Sequence, residues 1–560
     1  MVQRRYTTLV LILAVFFGSV FASAQIGRDF GTVRVEEVTI PADGYIIRGT
    51  LYTPVGASGV PAFALAHGVS NAKETLGGLA LELARNGYVA LTIDEKGHGE
   101  SDTGVGVTDT ALGLEAAVEY LATLPAVNPN LIGVAGHSMG AGAVRATITR
   151  NPGIAAAVLI GGGQGDTNYT PMNSTFPHNL LFIVGREDVL FNVTSLNAYL
   201  RTAFGVTDPI TPGVTYGQFG DGTARKLVIV ESIHLTEPVT PATVNEVVSW
   251  ANTALKSYVS YPLTVKSQTY LIREALMLVA LVALVASIMP LSEILNGVIP
   301  GGVGEPAQVR HRFLRERRVL LQWSLLGLVL YLPAMYLGTI IQFPPLLFGA
   351  SMAWWLLVSG VAGLLLLAVM ALRSKGSVDI LGYLKDSFNA RDVTMGVALF
   401  IILYALAYAS DARLGETLRL LVPIFPSLIA SRAYFFPLFI PFYLVYFTAE
   451  GLYMHVYRQR QTAGTTAGNM ARTVLLKLAP YLALLAIQYT PMFLADYKLI
   501  SGQLGFFIEF IWAIVPLLMI STFVSWWYYR HTGRIWAGVV LNALLFAWVC
   551  AGLFPFTAFR

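Results

Sequence analysis

From about residue 270 onward the chain carries eight apolar stretches, each long enough to cross a bilayer: 271–295, 319–341, 348–372, 393–410, 434–456, 474–495, 503–528 and 535–556. Backbone polar groups inside lipid must be paired within the segment, so these stretches predict helices rather than open sheet. Composition agrees. The 560 residues are 55% hydrophobic and only 12% charged, with a mean hydropathy of +0.61. A soluble protein carries roughly 25% charge. A wholly soluble protein, a disordered chain and a nucleic-acid binder are excluded as descriptions of the whole.

The loops between the stretches are charged unequally. Those at 305–318, 373–392, 456–473 and 530–534 hold 14 Lys and Arg, against 4 in 342–347, 411–433 and 496–502. Basic loops face the cytoplasm. The first stretch then runs from outside to inside, and residues 30–260 precede it on the outside. The N-terminus gives the same side. Arg4 and Arg5 are followed by an apolar run from Leu9 to Phe21 and by Ala22-Ser-Ala24. Residues 1–24 read as a signal peptide, or as an uncleaved signal anchor.

Residues 25–260 have a net charge of −8 and residues 261–560 a net of +10. The front part alternates short β-branched runs with amphipathic stretches. Strands are expected at 33–40, 46–53, 62–66, 89–93, 131–135, 155–160, 180–184 and 227–230. An antiparallel start followed by strand–helix alternation predicts an α/β fold with a mostly parallel sheet flanked by helices. The single cysteine, Cys550, rules out an intramolecular disulfide. Sequons at Asn168, Asn173 and Asn192 fall in this exported part.

Gly136-His137-Ser138-Met139-Gly140 follows one expected strand and opens a helical stretch. A serine on such a turn projects its hydroxyl from the sheet edge, and small flanking glycines let neighbouring chain approach. A nucleophilic serine needs a base, and the base needs an orienting carboxylate. Asp188, after the run 180–184, fits the carboxylate, with Glu187 as the near alternative. Past Asp188 the histidines are His234, His311, His455 and His531, and the last three fall at cytoplasmic loops. His234 is therefore the base. An oxyanion would be met by the N–H of Met139 and by Val69, or Gly68, in the loop after the run 62–66. His67, Asp94 and His98 read as structural.

Residues 33–257 resemble the α/β-hydrolase superfamily. The carriers are His67-Gly68, Asp94-x-x-Gly97-His98-Gly99-x-Ser101, the Gly136–Gly140 turn, Gly185-x-x-Asp188 and His234, in the family's order. The entry Ile47-Arg-Gly-Thr-Leu-Tyr-Thr-Pro54 resembles the dienelactone-hydrolase and serine-aminopeptidase-like branches. The resemblance implies Ser138 as nucleophile, His234 as general acid/base and Asp188 as orienter, with no metal or organic cofactor. The segments that usually cap such sites, 161–179 and 205–225, are short, which predicts an open pocket without a large lid.

Glu450 and Glu509 lie inside predicted spans, where acids are functional candidates unless they snorkel or pair. The expected activity is a membrane-bound serine hydrolase acting outside the cytoplasm on carboxylic esters. Its partners would be a small-molecule or lipid-like acyl substrate and membrane lipids, with no nucleic acid. A peptidase or acyltransferase on the same three residues, or a receptor or transporter with an idle outer domain, are the alternatives.

Overall fold

The computed structural model describes residues 2–164, 169–191, 193–256, 265–300, 319–373, 380–420, 422–458 and 465–556. The basic loop 305–318 and the sequons at Asn168 and Asn192 lie outside them. Asn173 is exposed, and its side-chain oxygen accepts from the N–H groups of Thr175 and Phe176.

Nine strands form one sheet: β1 (Val33–Ala42), β2 (Tyr45–Pro54), β3 (Val60–Ala66), β4 (Val89–Asp94), β5 (Val127–His137), β6 (Ala156–Ile160), β7 (Leu180–Gly185), β8 (Thr215–Tyr216) and β9 (Arg225–Val230). Their order is β1-β2-β4-β3-β5-β6-β7-β9-β8. The six central strands run parallel, and β1, β2 and β8 are antiparallel to their neighbours. This is the α/β-hydrolase arrangement. Every residue of β3, β4, β6 and β7 is buried, as expected of strands covered on both faces. Helices Gly77–Arg85 and Pro241–Lys256 cover one face, and Leu114–Thr123 and Met139–Arg150 cover the other. The two-residue β8 was not anticipated, because a strand that short carries no periodicity.

Among the described residues, eight helices are long and apolar enough to cross a membrane: Gln3–Gly27, Tyr270–Val298, Gly349–Arg373, Ala390–Leu414, Ala430–Tyr457, Thr466–Ala495, Gly502–Thr532 and Trp536–Leu553. The stretch expected at 319–341 is instead two helices, Val319–Val329 and Tyr331–Ile341, bent by 45°. Pro333 explains the break: it offers no N–H to the carbonyl of Val329, and its ring crowds that turn. The N-terminal helix packs antiparallel along Tyr270–Val298. Phe16 and Val20 are fully buried there, and Arg5 Nε meets Glu293 at 2.8 Å.

The sheet-bearing part docks on one end of the helical part. Arg432 donates to the carbonyls of Gly97 (2.7 Å) and Gly99 (3.0 Å), and to Phe554 (2.7 Å) beside them. Phe556 N–H donates to Gly97 as well, at 3.0 Å. Thr417 Oγ1 also donates across to Glu74 at 3.4 Å, next to the buried pairs Arg273–Glu416 and Arg419–Glu274 within the helical part. The Asp94–Ser101 turn thus has a structural role that the sequence alone did not reveal: it is the grip for the helical part.

Candidate functional site

The site lies at the C-terminal ends of β5, β7 and β9. Strand β5 ends at His137, and Ser138 turns the chain straight into helix Met139–Arg150. Ser138 sits at φ 53°, ψ −111°, a left-handed conformation that a non-glycine residue adopts only under constraint. The constraint is close packing on both sides. A Cβ on Gly140 would press on the carbonyl oxygens of Ala66 and, at 2.6 Å, His67. A Cβ on Gly68 would lie 2.8 Å from the His137 ring and 3.3 Å from Ser138 Cβ. Only glycine lets the β3 loop rest against the serine.

Three distant side chains meet here. Ser138 Oγ is 2.9 Å from His234 Nε2, and His234 Nδ1 is 2.9 Å from Asp188 Oδ2. Asp188 is fully buried and His234 is 1% exposed, while Ser138 is half-buried. The other Asp188 oxygen accepts from the N–H groups of Leu190 (2.7 Å) and Phe191 (3.0 Å). Burial alone would raise the Asp188 pKa. The neighbouring imidazole and these hydrogen bonds outweigh it and hold the carboxyl below its ordinary value. A charged Asp188 fixes the imidazole with Nδ1–H toward the carboxylate, leaving Nε2 free to take the serine proton.

Glu187, the alternative carboxylate, points elsewhere: its carboxyl makes no contact with His234, and Oε2 is buried without a partner. The N–H groups of Met139 and Val69 have no protein acceptor among the described hydrogen bonds, so both are available to a ligand. His67 is buried, with its Nδ1 2.7 Å from the Gly68 carbonyl and its Nε2 accepting from Glu95 N–H at 3.2 Å. Asp94 accepts from the N–H groups of Lys73 and Glu100, and His98 Nδ1 lies 3.1 Å from the Lys96 carbonyl. All three are bound into the framework.

Several residues at this site had not been singled out. Glu237 is fully buried, with Oε2 3.6 Å from His234 Nδ1 and 3.5 Å from His137 Nε2. Its Oε1 accepts from Gly185 N–H. Burial and the charge of Asp188 push its pKa well above the ordinary 4.5, which favours the neutral acid. Its spacing, three residues after His234, was the available signal. Lys498 donates to the carbonyls of Asp188 and, at 3.1 Å, Phe191. Its only trace was that it is the lone basic residue of the short loop 496–502.

The helical part also walls the site. Gly502 N–H donates to the Val189 carbonyl at 2.7 Å. Phe506 packs on His234 with 5.9 Å between ring centroids, opposite Phe191 at 5.7 Å. Glu509 Oε1 accepts from Leu235 N–H at 2.6 Å. The expectation of an open pocket is therefore corrected. The short segments 161–179 and 205–225 leave room for a cover, and residues 498–509 of the helical part occupy it. Glu509 neither snorkels nor joins Glu450, which is buried against Lys477 Nζ at 2.8 Å.

Among the described residues one set of three metal-type donors converges: His137, His234 and Glu237. Both His234 nitrogens and His137 Nε2 already have protein partners. An ion there would have to break the serine–histidine–aspartate chain, so the set does not fit a resident metal.

Comparison with known proteins agrees with the geometry in kind. Residues 61–186 match the family model described as serine aminopeptidase, S33. This supports an α/β-hydrolase-type serine hydrolase in general. Two solved structures are similar to part of the chain. One is a hypothetical protein from Pseudomonas aeruginosa, at 17% identity, covering 40% of this chain and 94% of its own, with a TM-score of 0.30. The other is DcsB in complex with its substrate analogue, at 16% identity, covering 40% and 99%, also with a TM-score of 0.30. No curated protein matches the chain.

Proposed function

We propose that this chain is a multi-pass membrane serine hydrolase that cleaves carboxylic esters on the outer side of the cytoplasmic membrane. Residues 30–260 form its hydrolase domain and residues 270–560 its membrane domain. The observation that carries the reading is the unbroken hydrogen-bonded chain Ser138–His234–Asp188 on a strained strand-to-helix turn.

Ser138 Oγ attacks the ester carbonyl while His234 Nε2 takes its proton. Asp188 holds the ring and balances the imidazolium. The carbonyl oxygen, now an oxyanion, receives the N–H groups of Met139 and Val69. His234 returns the proton to the departing alcohol, leaving an acyl-Ser138. Water, deprotonated by the same imidazole, releases the acid and restores the serine.

The outer-side placement rests on charge and on internal agreement. The sheet-bearing part docks through Arg432, Lys498 and Phe556. Followed through the loop-charge order, all three fall at non-cytoplasmic helix ends, which supports the outer-side reading. The N-terminal helix reads as a retained anchor, because removing it would expose the surface that buries Phe16 and Val20.

A peptidase on the same residues is the second reading, favoured by the description of the matched family. A fluorophosphonate probe applied to membranes tests the common core. It labels the wild type and not Ser138→Ala, and ester turnover falls at least about a thousandfold in the variant. A folded wild type that takes no label would refute the serine-hydrolase reading. Ester and aminoacyl-amide substrates compared side by side then separate the two activities.

A further inference from the structure

A cavity of about 310 Å³ lies beneath the loop that carries His234, between that loop and the membrane helices. Its inner end is formed by Ile233 and Leu235, on either side of His234, and its walls include Ala513, Leu517 and Val549. The lining holds one hydroxyl, Thr236, which is already paired with Ser232 at 2.9 Å. No side chain in it is charged. Water would find few partners there, and a sugar, peptide or headgroup no recognition.

The cavity runs along helix Ile511–Thr532 from Phe510 to Leu517, a rise of about 10 Å from the outer end of the span. It reaches Trp512, which is 45% exposed on an apolar helix long enough to cross a membrane. The Phe506 and Phe510 rings, 6.5 Å apart, bridge from the His234 imidazole to the cavity wall.

We propose that this cavity is an acyl-chain subsite, taking the fatty chain of a membrane lipid laterally from the outer leaflet and setting its carbonyl at Ser138. The proposal rests on the ester-hydrolase reading above and names its substrate class. The chain enters beside Trp512, and its carbonyl end passes the Phe506 ring. The headgroup stays at the membrane surface, where polar surroundings are available.

Two measurements on the full chain in detergent or nanodiscs test it. The first does not need turnover. A 16-carbon fatty acid with a mid-chain diazirine is photolysed with Ser138→Ala protein, and crosslinks fall in residues 510–517 and 549–554. Adding Ala513→Trp or the milder Leu517→Phe lowers that yield at least fivefold. In the second, nitrophenyl esters from acetyl to lauroyl are compared below their micelle concentrations. In the wild type kcat/KM rises about fourfold per methylene that enters the cavity. Each variant lowers the ratio of lauroyl to acetyl kcat/KM at least tenfold. Crosslinks mapping elsewhere, or variants whose chain-length profiles superimpose on the wild type, overturn the subsite. Absence of both ester turnover and fluorophosphonate label in the wild type overturns the hydrolase reading instead, and the crosslink map still decides the cavity.

Discussion

Glu237 and Asp188 approach the same imidazole with opposite protonation. Asp188 is held charged by the ring and by backbone donors, and Glu237 is held neutral by burial and by Asp188 itself. Shifts in opposite directions lessen the like-charge repulsion between the two buried acids. A pH dependence follows. The raised Glu237 pKa means that the folded state keeps a proton that the unfolded chain loses above about pH 4.5. That stabilisation is complete below the unfolded value and is lost as pH rises through the folded one. Asp188 has the opposite sign and weakens the fold as pH falls through its depressed value. Glu237→Gln keeps the acceptor for Gly185 N–H and cannot ionise. Melting curves of wild type and variant should therefore lie close at acidic pH and diverge as pH rises, with the variant the more stable. Parallel curves across the range would show that Glu237 is not the neutral partner.

Elements place these residues through contacts as much as through periodicity. The turn at Ser138 was legible because its requirements are local: a buried strand, two glycines and a helix start, all within about fifteen residues. Its steric reason appears only in the fold, where Gly140 faces the carbonyls of Ala66 and His67 from another strand. Gly140→Ala forces backbone to move and costs about 1–3 kcal/mol of overpacking. A shift of even an ångström at Ser138 should lower kcat by about a hundredfold, with fluorophosphonate labelling slowed in proportion. Labelling at the wild-type rate would show that the turn tolerates a side chain. The strands at 33–42, 45–54 and 180–185 lie within two residues of their expected bounds. The span at 319–341 broke because a local proline outweighs hydropathy. Glu237 escaped notice because a Glu three residues after a His is ordinary in any loop.

At the scale of the molecule, the helical part is a wall of the candidate site. Lys498, Gly502, Phe506 and Glu509 each touch the loops of Asp188 or His234. The topology has a direct test, since the native Cys550 is buried and gives little background. Asp43→Cys and Thr466→Cys each place a thiol at an exposed position, on opposite ends of the bundle. In intact cells a membrane-impermeant maleimide should label the first and spare the second until the membrane is opened. The reverse pattern would put the hydrolase domain in the cytoplasm and end the outer-side reading.

What the sequence determined by itself is what short-range chemistry dictates: apolar runs that must be helices in lipid, alternation that must be a covered sheet, and a serine turn with few other uses. The order Ser138, Asp188, His234 also lies open along the chain. The tertiary structure alone decided what surrounds them. Residues more than 250 positions apart, such as Leu235 through its backbone N–H and Glu509 through its carboxylate, pair at 2.6 Å because a buried N–H cannot be left without an acceptor. No periodicity or motif encodes that partnership. It exists only once two parts of the chain have been pressed together and each buried polar group has had to find its partner.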